Sequence, residues 1–266
     1  MSGRYDDELA LALELADLAD AVTLPAFTGR TFTVGHKHDR TEVTEADRGA
    51  EAAIRARLAV ARPDHAVLGE EEGLVGPPDA AHRWIVDPID GTSNFVKGIP
   101  IWATLVALQH NGQVVVGVAS APALGRRWWA VRGGGAFAGP IRAPGGEGRS
   151  IHVSDIATIA DAHLAYSDVG SFAQHGIGTE LTGLTARAWR ARGLGDFWMH
   201  VLVAEGAFDA AMEPIVNVWD LAALQIIVEE AGGRFTDLGG NARPDGGSAV
   251  SSNGHLHPEV LAALRK

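Results

Sequence analysis

The chain of 266 residues has no cysteine, which excludes a disulfide framework, a thiolate metal site and a cysteine nucleophile together. Positive charge is also scarce: 22 lysines and arginines stand against 33 aspartates and glutamates, a formal net charge of −11. A surface of that sign repels phosphate backbones and anionic membranes, so neither nucleic acid nor membrane is expected as a partner. Long apolar runs are missing too. None reaches the roughly 20 residues that span a bilayer, and the opening MSGRYDDELA is acidic, unlike the basic and then apolar start of an export signal. The rest is ordinary globular composition, 46% hydrophobic and 21% charged, long enough to bury a core without covalent staples. The expectation is a cytoplasmic globular protein. Should such an acidic chain act on an anionic substrate, metal ions are a natural source of the positive charge it lacks.

Periodicity predicts a helix from Asp6 to about Phe27, with Leu11, Leu15, Leu18 and Val22 on one stripe. A polar, irregular stretch runs from Gly29 to about Glu42, and a second helix starts at Thr44 and ends at Pro63. Trp84-Ile85-Val86 reads as a short strand stopped by Asp87-Pro88. Strands near 103–108 and 114–119 flank Asn111-Gly112, a strong hairpin signal. Another strand covers Arg127–Arg132, where one of Trp128 and Trp129 is expected in the core and the other at a surface or interface. Glycine and proline cluster at Gly139–Gly148, taken as the seam between an N-terminal lobe of about residues 1–145 and a C-terminal lobe of about 146–266 within one catalytic domain. Beyond it, strands near 164–167, 208–212 and 249–252 alternate with helices near 179–185, 197–205 and 218–231, and Pro258 opens a last short helix.

The densest chemistry is Asp87-Pro88-Ile89-Asp90-Gly91-Thr92. It begins where an apolar strand stops, the usual place for a ligand on a sheet. Two carboxylates and the Ile89 carbonyl are oxygen ligands of the kind magnesium prefers, and the N–H groups of Gly91 and Thr92 could meet a phosphate oxygen. The same residues could equally form an Asp-Pro turn capping a short helix. Three further acidic places carry the same ambiguity. Glu70 and Glu71 lie in a glycine-flanked charge run. Asp47 follows Thr44 at capping-box spacing, and Asp220 follows Asn217 in the same way.

Taken together, GEEEG at 69–73, WIVDPIDGTSNFVKGIP at 84–100 and WDLAALQIIVEEAGG at 219–233, with Asp47 in TEAD, resemble the signatures of the inositol monophosphatase family over nearly the whole chain. That resemblance implies an α+β fold, a layered αβαβα sandwich, and a magnesium-dependent phosphate monoesterase with two or three Mg2+ ions per site. It implies Glu70, Asp87, the carbonyl of Ile89, Asp90 and Asp220 as metal ligands and the backbone of Gly91 and Thr92 as phosphate cradle. It also implies Thr92, paired with Asp47 and helped by Glu70, as the group that orients and deprotonates the attacking water, with no phosphoenzyme, and a homodimer as the assembly.

Within the family, RRWWAVRGGGAFAG at 126–139 and RARGLGDF at 190–197 look more like histidinol-phosphate phosphatases than inositol-specific members. Glu213 resembles the residue that contacts the alcohol portion. Arg192 is a candidate for a guanidinium on the substrate, or else a surface cation. The substrate this resemblance implies is therefore a small phosphate monoester, L-histidinol phosphate first, with inositol-1-phosphate and then a nucleotide 3′-phosphate as alternatives, and a non-catalytic metal- or partner-binding relative as the alternative of another class. Eleven histidines, including His36-x-His38, offer no third ligand at zinc spacing and no H-E-x-x-H. No complete G-x-G-x-x-G, Walker lysine or EF-hand ladder is present.

Overall fold

A computed structural model of the protein describes residues 4–36, 42–141 and 148–265. Of the expected lobe seam at Gly139–Gly148, residues 142–147 lie outside the described residues, as does His38, while Gly139 and Pro140 end a strand of the first sheet. The first helix, α1 (Asp6–Gly29), carries three acids in its first turn and buries Leu11, Ala12, Leu15, Ala16 and Ala19. The polar stretch after it holds a small antiparallel pair, β1 (Val34–His36) and β2 (Glu42–Thr44). The second helix, α2 (Glu45–Ala61), opens on the Thr44–Asp47 capping box and buries Ala50, Ile54 and Leu58.

Next come β3 (Ala66–Gly69), β4 (Gly73–Val75), β5 (His82–Asp90), α3 (Thr92–Lys97), β6 (Ala103–His110), β7 (Gln113–Ala121), β8 (Arg126–Val131), β9 (Gly135–Pro140) and β10 (Arg149–Ser150). These strands form one eight-stranded sheet in the order β10-β9-β8-β7-β6-β5-β3-β4. It is antiparallel except where β3 runs parallel to β5. The Asn-Gly turn between β6 and β7 has both residues at positive φ, as the hairpin signal requires.

The remaining chain supplies β11 (His163–Tyr166), α4 (Val169–Gln174), α5 (Gly178–Arg187), β12 (Arg190–Gly193), α6 (Asp196–Ala204), β13 (Ala210–Glu213), α7 (Val218–Glu230), β14 (Arg234–Thr236), β15 (Ala249–Ser252) and α8 (His257–Ala263). Its strands form a mixed sheet in the order β12-β11-β13-β15-β14.

Alternation along the strands assigns the layers. Trp84, Val86, Val106, Val116, Val118 and Trp129 face α1 and α2, whereas Ile85, Leu105, Ala119 and Trp128 face α6 and α7. Ala165 and Ala211 of the second sheet also meet α6, and Leu164, Met212 and Val250 face α4, α5 and α8. The stacking is therefore αβαβα. Helix α7 lies between two sheets, which is why every residue from Leu221 to Val228 is buried and the helix shows no polar face. The same covering corrects the expectation for the tryptophan pair. Trp128 and Trp129 point to opposite faces, but both faces are roofed by helices, so both are core.

Candidate active site

The apolar strand does not stop at Val86. It runs on to Asp90, with its pairing to β6 shifted between Asp87 and Asp90. The irregularity turns two acids of one short segment toward the same side. Ile89 N–H donates to Asp87 Oδ1 at 2.9 Å, and Thr104 Oγ1 donates to the Pro88 carbonyl at 2.8 Å, so the bend is pinned from within and from the neighbouring strand. Gly91 follows with φ 84, and a Cβ there would stand 3.1 Å from the Ile101 carbonyl. Only glycine enters α3 this way without strain. The first bond inside α3 is Phe95 N–H to the Gly91 carbonyl, which leaves the earlier N–H groups at its start without a partner in the helix.

This segment forms the wall of a cavity of about 930 Å³ that Glu70, Asp87, Ile89, Asp90, Gly91, Thr92, Glu213 and Asp220 all line. Residues from β5, α3, β13, α7 and the turn after β3 thus meet at one place. Asp87, Asp90 and Asp220 each bring a ligand oxygen within 4.8 Å of the others. Burial pushes Asp87 and Asp90 well above the usual carboxylate range, Asp87 further against Glu70 and Asp90 further against Asp196. Burial likewise pushes Asp220 up to about 7. Two backbone donors oppose this: Phe197 N–H reaches Asp90 Oδ2 at 2.6 Å, and Asn217 N–H reaches Asp220 Oδ2 at 2.8 Å. Among the described residues no salt bridge reaches any of the three acids. Buried, mutually repelling, hard oxygen donors lacking a protein cation fit a divalent metal ion.

Asp47 is wholly buried at the start of α2 and is pushed up by burial to about 6. Its Oδ2 accepts the N–H and hydroxyl of Thr44, at 2.8 and 2.6 Å, so it is the capping residue that its spacing indicates. Its other oxygen lies 3.3 Å from Thr92 Oγ1, which is also 2.9 Å from the Ile89 carbonyl. One carboxylate thus caps a helix and reaches the rim of the cavity.

The turn bearing Glu70 is held by residues that sequence reading passed over. Glu51, fully buried on α2, accepts the N–H groups of Glu71 and Glu72 at 2.9 and 3.1 Å. Arg55, one helical turn on, pairs with Glu51 at 2.8 Å and donates to the Gly73 carbonyl at 2.6 Å. A Cβ at Gly69 would stand 2.3 Å from the Glu51 carboxylate, so this glycine makes room for the clamp. In the sequence Glu51 and Arg55 look like a solvated i,i+4 pair; only the turn folded over them makes them internal.

Two more residues were missed, one lining the cavity and one buried behind Glu213. Asp196, at the start of α6, has φ 52 and takes a hydrogen bond from Asn94 Nδ2 at 3.0 Å. His200, on the next turn of α6, is buried and faces Glu213 Oε2 at 3.6 Å. A clue was present in Gly195-Asp196, a glycine followed by a polar residue at a helix start. Arg192 is not brought in: it is exposed on edge strand β12, and its Nη1 donates to the Ala191 carbonyl at 3.0 Å. It is not among the residues that line the cavity.

Residues 5–266 match the model of the inositol monophosphatase family. The chain is 51% identical to a histidinol-phosphatase of Mycobacterium tuberculosis over 97% of this chain and 98% of that protein. It is 47% identical to a histidinol-phosphatase of Streptomyces coelicolor, over 98% of each chain. In three dimensions it resembles the extragenic suppressor protein suhB of Bartonella henselae, with a TM-score of 0.87 and 30% identity over 98% of this chain and 99% of that one.

Proposed function

The chain belongs to the inositol monophosphatase family, and on that premise we propose that it hydrolyses L-histidinol phosphate to L-histidinol and phosphate with magnesium. The observation that carries the substrate is the near full-length identity of about half to two histidinol-phosphatases. The one that carries the chemistry is the cavity of buried carboxylates around Asp87, Asp90 and Asp220.

In this reading Glu70, Asp87, the Ile89 carbonyl, Asp90 and Asp220 hold two or three Mg2+ ions. Bound there, the ions supply positive charge to the phosphate oxygens and the leaving oxygen, and acidify a water. The N–H groups of Gly91 and Thr92 hold the phosphate from the start of α3. Thr92 Oγ1 accepts a hydrogen bond from the attacking water and passes its own hydroxyl proton toward Asp47 Oδ1, with Glu70 taking part. Asp47 suits the role because burial leaves it a weaker acid than a surface aspartate, with a pKa of about 6, close to the working range of a general base. The reaction needs no covalent phosphoenzyme. Glu213 lies on the alcohol side.

With this reading go a place in histidine biosynthesis, a cytoplasmic location and a homodimer, the last tested by sedimentation. No helix among the described residues is long and apolar enough to cross a membrane. The deciding experiment compares magnesium-dependent phosphate release from L-histidinol phosphate, inositol-1-phosphate and adenosine 3′,5′-bisphosphate. A preference of about a hundredfold in kcat/KM for the first, roughly 2.7 kcal/mol of transition-state binding, supports the assignment. A preference for inositol-1-phosphate keeps the chemistry and replaces the substrate, and no release from any ester points to a non-catalytic relative.

A further inference from the structure

We propose that the protein carries a second binding site, for a free amino acid, in a polar cavity at the end of the large sheet remote from the carboxylate cavity. This second cavity measures about 540 Å³, a size typical of small-molecule sites. It is built from the start of β5, the β6–β7 turn, the second half of α7 and the loop 242–245, and it shares no lining residue with the carboxylate cavity. Arg83 lies at the start of β5 and Asp90 at its end, so roughly 20 Å of strand separates the two places. The inference is independent of the phosphatase reading.

Most of the charge in the lining is met within the chain. Arg132 donates to the Val114 carbonyl from Nε and Nη2, at 3.2 and 2.8 Å, and pairs with Glu229 Oε2 at 2.7 Å. Arg243 pairs with Asp245 at 2.7 Å. Two groups stand outside these pairings. Gln225 is only 6% exposed on α7; its Nε2 donates to Glu229 Oε1 at 2.9 Å, but its Oε1 is buried without a hydrogen-bond partner. Turning the amide round would set a carbonyl oxygen against the Glu229 carboxylate, so its orientation is fixed. Arg83 donates from Nη2 to the Pro78 carbonyl at 2.6 Å, while its buried Nε has no partner, and no salt bridge among the described residues meets its charge.

Gln225 is also the one polar residue in the run from Leu221 to Val228. A leucine there would continue the apolar face between the sheets and leave no acceptor unpaired, which is costly in a buried place. The amide therefore points to a ligand.

The two unmet groups ask for opposite things. Gln225 Oε1 needs a hydrogen-bond donor, and Glu229 beside it favours a positively charged one. Arg83 needs an anion. One small zwitterion answers both, with its carboxylate on Arg83 and its ammonium on Gln225. A plain anion leaves Gln225 unmet and faces Glu229 and Asp245 as like charges, and a plain ammonium leaves Arg83 unmet.

The test screens the protein amino acids and γ-aminobutyrate one at a time against the full-length wild type in magnesium buffer, by NMR and calorimetric titration. Acetate and methylammonium serve as the two half-ligands. We expect at least one zwitterion to bind at least tenfold more tightly than either half-ligand, shifting the backbone amide signals of Gly112, Gln113 and Ala242 and leaving those of Gly91 and Thr92 in place. Arg83→Met and Gln225→Leu should each weaken that binding at least tenfold. The signal map needs no variant, and Arg83→Met, at the half-buried end of the sheet, reads the same loss should Gln225→Leu not fold. If no zwitterion binds more tightly than the half-ligands, water satisfies both groups and the proposal falls. Binding that survives both substitutions, or that shifts Gly91 and Thr92 instead, places the ligand elsewhere and overturns it equally.

Discussion

The molecule holds two buried groups of charge and treats them in opposite ways. On the α1 side of the large sheet, Arg127 is 4% exposed and its charge is met inside the chain. Its Nη2 donates to Asp17 Oδ1 and Asp20 Oδ2, each at 2.7 Å, and its Nε donates to Ser120 Oγ at 3.0 Å. Ser120 Oγ in turn donates to Asp20 Oδ2 at 2.7 Å. In the cavity, Asp87, Asp90, Asp220, Asp196 and Glu213 face one another with backbone and amide donors but without a described salt bridge to lysine or arginine. In the first group the chain itself supplies the cation that meets the acids. The second is left incomplete, and the missing charge has to come with a ligand. A buried acid therefore indicates function only once the partners around it have been identified.

The largest effect should come from Asp90→Asn. Removing one carboxylate from the unpaired set should lower kcat by about a thousandfold, while the urea midpoint of the ion-free protein stays level or rises because repulsion is relieved. Phosphate release and circular dichroism check both halves. Turnover within tenfold of wild type would erase the difference between the two centres. Arg127→Met is the mirror experiment. It strands Asp20 in the core and should cost about 3–5 kcal/mol in urea unfolding, with turnover per folded molecule kept.

Third in size is the ion itself. Magnesium at a hundred times its Kd should stabilise the wild type by about 2.7 kcal/mol. Arg127→Met should show the same gain and Asp90→Asn clearly less; equal gains in all three proteins would detach the ion from the acid wall.

The smallest effect is a slope. Glu213 is held near 8 in the folded state against 4.5 ordinarily, so between these values the folded protein keeps a proton that the unfolded chain sheds. Its contribution is fully present below about 4.5 and is lost as pH rises through about 8, at about 1.4 kcal/mol per pH unit. His200, lowered to about 3 from 6.5, works the other way: its contribution is present above 6.5 and is lost as pH falls. In ion-free buffer, the advantage of Glu213→Gln over wild type should thus grow from pH 5 to pH 8 in urea midpoints. A difference that stays flat over that range would show that Glu213 is not a buried protonated acid.

Much of this was readable beforehand, for identifiable reasons. Helix α7 announced itself as an apolar run ended by Gly232-Gly233, and the β6–β7 hairpin by Asn-Gly at its turn. The short elements β4, β9, β12, β14 and α4 were not anticipated, because three to six residues carry too little periodicity to stand out. One of Trp128 and Trp129 was expected at a surface or interface because alternation shows that a strand has two faces but not whether both are covered. The acids around the cavity could be picked out where they recur in motifs. Glu51 could not, since it looks like an ordinary helix residue until a distant segment folds against it, and Asp196 was marked only by the glycine before it.

By itself the sequence determined the chemistry available to this protein. The absence of cysteine, the surplus of acids and the Asp-Pro-Ile-Asp-Gly-Thr segment leave hard oxygen ligands and phosphate as the natural terms, because ligand type is a property of side chains and survives any arrangement of them. The tertiary structure alone decided which carboxylates meet a cation inside the chain and which do not. Asp20 received Arg127 from a strand about a hundred residues away, while Asp90, Asp196, Glu213 and Asp220 were gathered from separate elements onto one wall. Coulombic energy depends on separation and burial, and neither is defined until the strands and helices have packed.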